Sequence, residues 1–516
     1  MNMLVPAVLG DIANRFLSFF ISFSMTKYWQ LPDAKETLER LNQLLLRANT
    51  IIEEAEGKCI ANEGMLQQLH MLVEGVYRGH YLLDKFKYPA LQEDTRDEEV
   101  SHVSALSKFN PAKHLCFSNC SKTMLFGSSG IKELHGMIAT LENGISDMME
   151  FVVLLENCQL MHRQPRYTYS ILENCMFGRR MEQEQVLSFL LQTDDLGDEN
   201  LAVLPIIGPR KCGKTTLVEH VCRDDRVRDH YSLILFFREN NLKDGRVENL
   251  RENGVVKHQD YSSCKRLLII IELAGDINEQ TWISLKSLAS CSVHGSKIII
   301  TSRSSKIENL GTTEALRLDL LHPEAYWYFF KMLAFGSANP DEHPRLASVA
   351  MEIATVYTGS FLAAYIIGGL LRDNFNGKFW YSALKYLRAY LRNQLLLFGD
   401  HPNNLLRKDQ PLHCLRFAKA AGPLWMSNYY ETDSCQNQVP NISDIMLGCA
   451  TPRGRFDALG WKSRVPPYYS YMVCCTTEAS EHAVCRKKRR RSYEQHLMRR
   501  RLRFSFRRIH HFPVPR

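Results

Sequence analysis

Nine consecutive residues, Gly208-Pro209-Arg210-Lys211-Cys212-Gly213-Lys214-Thr215-Thr216, satisfy the spacing G-x-x-x-x-G-K-[ST] at every required position. Their flanks decide whether that spacing is chance. Ahead of them, Leu201-Ala202-Val203-Leu204-Pro205-Ile206-Ile207 is a short apolar run ending at a glycine, the composition of a buried parallel strand. Behind them, Thr216-Leu217-Val218-Glu219-His220-Val221-Cys222 sets apolar side chains at helical spacing. Strand, glycine loop and helix in that order aim the loop amides and the helix N-terminus at one anion. The stretch therefore predicts a phosphate loop in which Gly208 to Thr216 surround a nucleotide. Lys214 would reach the β- and γ-phosphates, and the Thr215 hydroxyl would face Mg²⁺.

Beyond the loop, apolar runs alternate with helical stretches. Ser232 to Phe237, Arg266 to Glu272 and Ser296 to Arg303 read as three further strands, and Trp282, Leu285, Leu288 and Ala289 as a helix between the last two. Such an alternation specifies a doubly wound parallel sheet, whose ligands sit outside the carboxyl ends of its strands. Two residues at that edge have chemistry to offer. Glu272 ends a hydrophobic strand, where a carboxylate holds Mg²⁺ together with Thr215. Arg303, after Ile-Ile-Ile-Thr-Ser, is placed to sense a γ-phosphate by charge-assisted hydrogen bonds.

The rest of the chain reads as mostly helical. Leu38, Leu41, Leu45, Ala48, Ile52 and Ala55 recur in three- and four-residue steps, and Met65, Leu69, Leu72, Val76, Leu83 and Phe86 form a second stripe. A third helix carries Ile131, Leu134, Met137, Ile138 and Leu141 and continues through Phe151 to Leu155. No such stripe is buried by one helix alone, so an antiparallel bundle is expected. Helices return at His322-Pro323, with proline at the first-turn position, and run through residue 400. The organisation expected is multidomain, α and α/β. A helical domain (1–160) leads into a linker and leading helix (161–200), the phosphate-loop domain (201–320) and a helical subdomain (321–400). An irregular region (401–484), with a shortened winged helix left open, and a basic tail (485–516) follow.

Charge separates the tail from the body. Residues 486–508 hold twelve Lys/Arg and one Glu, so this +11 leaves −3 for the remainder of a chain whose total is +8. The tail reads as a nuclear-import signal, a non-specific nucleic-acid or phosphate strip, or a solvated end. Fifteen cysteines show no tight framework, which beside a phosphate loop predicts reduced thiols. His114, Cys116 and Cys120 lack a fourth ligand at useful spacing, which favours ordinary thiols over zinc. No run reaches the 18 or more apolar residues of a membrane span. Phe16 to Phe23 reads as part of an amphipathic helix with Val5, Val8 and Ile12 on its apolar face, with membrane-surface contact the lesser reading. Cytoplasmic placement, with nuclear import through the tail as the second option, is expected.

Taken in order, these stretches resemble the NB-ARC switch of plant NLR disease-resistance proteins, and in particular the grass coiled-coil class with an Rx-type helical domain. Glu74 to Phe86 lies where that class carries its acidic EDVID-like stretch, and Phe177-Gly178-Arg179 resembles the start of its nucleotide domain. Gly208 to Thr216 is similar to Walker A, Leu268 to Glu272 to Walker B, and Gly295 to Arg303 to the sensor strand. Gly359-Ser360-Phe361-Leu362-Ala363 stands where the family has Gly-Leu-Pro-Leu-Ala, which puts Phe361 in the vicinity of the adenine. The resemblance covers residues 1 to about 375. It implies an ARC-type helical subdomain, ADP or ATP with Mg²⁺, and protein partners for the N-terminal domain, by self-association or with a full-length NLR.

The departures carry information too. The family ends Walker B with two aspartates; here Glu272 and Leu273 stand there, and a leucine accepts no proton. Turnover is therefore expected to be at most that of a slow ATPase, with no catalytic residue assigned. There is no Met-His-Asp triplet, and no period of roughly 20–29 residues that would mark leucine-rich repeats. The function expected is an ADP/ATP-binding switch in defence signalling. The alternatives are an active P-loop ATPase and an interaction scaffold that binds no nucleotide.

Overall fold

The computed structural model describes residues 32–60, 62–88, 128–159, 176–192, 201–242, 255–259, 266–290, 295–407, 412–417, 424–432, 439–463 and 468–477. The apolar stretch 16–23, His114, Cys116, Cys120 and the basic run 486–508 lie outside them. The chain divides into two compact units, an N-terminal helical one and one holding everything from residue 161 onward.

The first unit contains α1 (Pro32–Glu56), most of α2 (Glu63–Lys87), α3 (Ser128–Ser146) and α4 (Met149–Glu156). Both leucine-rich stripes read from the sequence are buried along their whole length. Gly79 lets α1 and α2 approach closely, because a Cβ there would lie 2.7 Å from Leu45 Cδ2. An Arg40–Glu142 ion pair of 2.7 Å ties α1 to α3 at the surface. The continuation expected through 151–155 is a separate short helix. Only Phe151 and Leu155, one turn apart, are buried there, and Val152, Val153 and Leu154 face outward.

In the second unit, α5 (Arg180–Leu191) precedes β1 (Ala202–Ile207), α6 (Lys214–Val221) and α7 (Asp225–His230). After them come β2 (Leu233–Arg238), β3 (Val255–Gln259), β4 (Leu267–Glu272), α8 (Glu279–Ser290), β5 (Lys297–Ser302) and β6 (Leu316–Arg317). The sheet order is β3-β2-β4-β5-β1-β6, with β2, β4, β5, β1 and β6 parallel and β3 an antiparallel edge. Successive strand residues serve opposite faces. Ile206, Phe236, Ile270 and Ile299 pack toward α5 and α6, while Phe237, Ile269, Ile271 and Ile300 pack on Trp282 and Leu285 of α8. Covering on both faces is why these strands are continuous apolar runs. Strands β3 and β6 were not anticipated: one is a polar edge, Val255-Val256-Lys257-His258-Gln259, and the other only two residues long.

Register sets the level of the functional edge. Ile207 pairs with Ser302, and Glu272 with Thr301, so β1, β4 and β5 end together. Past the sheet come α9 (Pro323–Phe335), α10 (Pro344–Tyr357), α11 (Phe361–Asp373) and α12 (Gly377–Phe398). Pro323 occupies the first helical turn as expected, and Ser360 caps α11 through the amide of Ala363. Phe335, Phe375 and Trp380 interlock edge to face between α9 and α12.

The described parts of 401–484, expected to be irregular, hold α13 (Pro402–Arg407), β7 (Leu412–His413), β8 (Trp425–Thr432), α14 (Ile442–Leu447), β9 (Arg455–Lys462) and β10 (Ser470–Thr476). The strands form an antiparallel sheet in the order β7-β8-β10-β9. Its register shifts at Cys474/Cys475 and Tyr471/Met472, and such bulges break the strict alternation by which a half-buried strand is read. Among the described residues, no helix is long and apolar enough to cross a membrane.

Candidate functional site

The loop after β1 closes on two unusual backbones. Gly213 has φ +98 with open space where a Cβ would stand, so conformation alone demands glycine there. Gly208 is required for a different reason: a Cβ would sit 2.2 Å from the carbonyl oxygen of Leu318. Lys211 holds φ +63, a left-handed backbone that costs a lysine about 1–2 kcal/mol. Its loop is braced from beneath by Arg179. That buried guanidinium donates to the carbonyls of Cys212 (3.4 Å) and Asp319 and pairs with Glu182 at 2.8 Å.

Lys214 opens α6 and donates its ammonium to the carbonyls of Gly208 (2.8 Å) and Pro209 (2.9 Å). Burial lowers its pKa. Gly208 and Pro209 thus act here through their carbonyls, whereas Arg210 to Thr216 line a cavity directly. Thr215 donates its hydroxyl to Glu272 Oε1, and Glu272 Oε2 lies 3.5 Å from Arg238 Nε. This is a pair of hard oxygen donors at the end of β4, which suits Mg²⁺ chemically. Arg303, directly past β5, donates Nε to the Ala274 carbonyl at 2.9 Å and lines the same cavity. Leu273, where the resemblance implies a second carboxylate, packs into the core on the α8 side of the sheet and also borders the cavity.

Phe361, at the start of α11, packs edge to face on Phe329 at 5.5 Å, and Phe329 stacks on Phe177 at 5.0 Å. Phe177 and Phe361 both border the cavity that Arg210 to Thr216 line. Its volume is about 620 Å³, within the range of small-molecule sites. Arg179, Arg210, Lys211, Lys214, Arg238 and Arg303 line it against Glu239, Glu272 and Glu431, a surplus of cations suited to a polyphosphate.

One wall was not foreseen. Strands β8, β9 and β10 contribute Tyr429, Trp461 and Tyr471. The Lys211 ammonium lies 3.6 Å from the centre of the Tyr429 ring, and the Tyr471 hydroxyl is 3.5 Å from Thr216 Oγ1. Trp461 stacks on Tyr365 of α11 at 3.8 Å. The buried Tyr469 hydroxyl donates to both carboxylate oxygens of Glu219 on α6, at 2.5 and 2.7 Å. Burial first, and then the charge of Arg210, pushes the Lys211 ammonium down to about 7, with Glu431 opposing. The only sequence signal for this wall was a density of aromatics at Tyr429-Tyr430, Trp461 and Tyr468-Tyr469.

A parallel sheet whose first strand runs through a glycine loop into α6, with a strand-end carboxylate on the loop threonine, is the α/β architecture of the P-loop NTPase class. No family model matches the chain. It is similar to curated plant proteins: disease resistance protein RGA2 of Solanum bulbocastanum, 25% identical over 356 residues, covers 65% of this chain and 34% of that protein. Putative disease resistance protein RGA4 of the same plant is 27% identical over 220 residues, 40% of this chain and 22% of that one. Putative disease resistance RPP13-like protein 1 of Arabidopsis thaliana is 23% identical over 362 residues, 66% of this chain and 33% of its own. These matches, to plant disease-resistance proteins at 21–27% identity, support the plant NLR family. The chain spans about a third of the length of the first two of these curated relatives.

Proposed function

We propose that this chain binds ADP or ATP at the loop from Gly208 to Thr216 and works as a nucleotide-dependent switch in plant defence signalling, with hydrolysis slow or absent. The observation that carries the reading is the convergence of Lys214, Thr215, Glu272 and Arg303 at one sheet edge, on a cation-rich cavity of nucleotide size. The amides of the loop and of the α6 N-terminus would hold a diphosphate. Lys214 would exchange two carbonyl partners for phosphate oxygens, and Arg303 would meet a terminal phosphate. Thr215 and Glu272 are the residues that would hold Mg²⁺, which when bound would neutralise phosphate charge. With Leu273 in place of an acid, no side chain at that position takes a proton from water, which favours a binding-state signal over chemical output. Phe361 would pack near the base.

The names of the relatives support the defence role. The N-terminal helical unit is the docking part for protein partners, a second copy or a longer relative, and the tail's contact with nucleic acid is non-specific. The protein works in the cytoplasm, with the nucleus as a second place of action. Calorimetric titration of the purified chain with ADP and ATP, beside Lys214→Ala, tests the core of this. Binding that the substitution abolishes is expected, together with ATP turnover near background. Equal heats for both proteins, or neither binding, would defeat the nucleotide reading; sustained turnover would favour an ATPase.

A further inference from the structure

Lys211 is a second lysine within the phosphate loop, at a position where the motif demands none. Its ammonium sits 3.6 Å over the Tyr429 ring. Glu431, two residues further along β8 and hence on the same face of the strand, draws on the same charge. Desolvation and the neighbouring Arg210 disfavour that charge, and among the described residues the Tyr429 ring and the Glu431 carboxylate oppose them. A phosphate oxygen is a stronger partner for an ammonium than a ring face. Lys211 also belongs to the loop whose amides face the anion, so no rearrangement of secondary structure separates the two partners.

We propose that Lys211 is a reserve phosphate-binding cation of this site, held on Tyr429 while the cavity lacks a nucleoside di- or triphosphate, so that nucleotide binding and docking of β8 compete for one ammonium. This rests on the nucleotide reading above. The sheet stays attached elsewhere, through Tyr469 on Glu219 and through Trp461 on Tyr365. What the nucleotide loosens is therefore the β8 side of the wall, from Tyr429 to Glu431. Docking of the sheet in turn lowers nucleotide affinity by the strength of the Lys211–Tyr429 contact.

A double-mutant cycle on the whole chain tests this by calorimetric titration with ADP. Tyr429→Leu frees the ammonium and is expected to tighten ADP about three- to tenfold. Lys211→Met weakens it, and the double variant matches Lys211→Met within about twofold. Glu431→Gln serves as a second release variant should Tyr429→Leu not fold; it too tightens ADP only when Lys211 is present. Saturating ADP should also speed amide exchange in 429–431. The proposal falls if the release variants leave ADP affinity unchanged or weaken it, or tighten it equally in the Lys211→Met background. Wild type that fails to bind ADP at all would remove the nucleotide reading itself, which the cycle alone does not touch.

Discussion

Tyr469→Phe isolates one bond between the C-terminal sheet and the helix that follows the phosphate loop. Tyr469 and Glu219 are 2% and 3% exposed, and the tyrosine hydroxyl donates to both oxygens of the carboxylate. Phenylalanine keeps the ring and its packing, so the loss is the hydrogen bond alone and leaves no cavity of consequence. A hydrogen bond to a charged acceptor contributes about 1.5–3 kcal/mol when its partner would otherwise stay buried. Glu219 keeps other interactions, so a cost of about 2 kcal/mol is expected. At about 1.4 kcal/mol per tenfold, local opening of β10 becomes about 30-fold more frequent. Native-state amide exchange over Ser470–Thr476 reads that opening directly, without requiring the whole chain to unfold in one step. Acceleration should be confined to β10 and its neighbours β8 and β9. An acceleration below about threefold would refute the reasoning. So would an equal effect on the amides of α1 and α3, which would mean the change is global and not a released strand.

Other expectations follow from single positions. Leu273→Asp places a carboxylate among apolar side chains and should destabilise the protein by about 2–4 kcal/mol, measured as a lowered denaturation midpoint. It should also raise ATP turnover at least tenfold, since general bases contribute roughly 10²–10⁴; no rise would mean that the missing acid is not what limits hydrolysis. Lys211 in the folded chain loses its proton near pH 7, below its ordinary value of 10.5. The folded state therefore binds fewer protons between those limits, and stability gains with pH across that window. The cost is fully present below pH 7, so denaturation midpoints should rise from pH 6.5 to 9.5, and Lys211→Met should flatten the rise. Gly208→Ala sets a Cβ against the Leu318 backbone oxygen, a group that cannot swing aside. It should cost about 1–3 kcal/mol and abolish ADP binding in titration.

What the sequence made legible was whatever depends on neighbours along the chain. Ile269-Ile270-Ile271 and Ile298-Ile299-Ile300 are strands because both of their faces are buried, and an unbroken apolar run is the signature of that burial. Once those runs are placed, the parallel register brings Glu272 and Arg303 level with the loop. Spacing alone was enough for Gly213 and Lys214. The wall of Tyr429, Trp461 and Tyr471 was out of reach for the opposite reason. Its bulged strands lack clean alternation, and its contacts with Thr216 and Glu219 join residues 255 and 250 positions apart. Nothing local in Tyr469 or Tyr471 states that a helix begun at Lys214 is its partner. Leu273 was noticed as a departure from a pattern, but only the fold shows it serving the core on the α8 side of the sheet.

Those long separations bear on how the molecule is made. A ribosome delivers β1, α6 and the parallel sheet long before it delivers Tyr469 and Tyr471, and domains fold largely as they emerge. For the time needed to synthesise more than two hundred residues, roughly ten seconds or more at about 5–20 residues per second, the nascent phosphate loop stands without its aromatic cover. On the nucleotide reading proposed above, the loop therefore meets its ligand before the tyrosine strands that close over it exist.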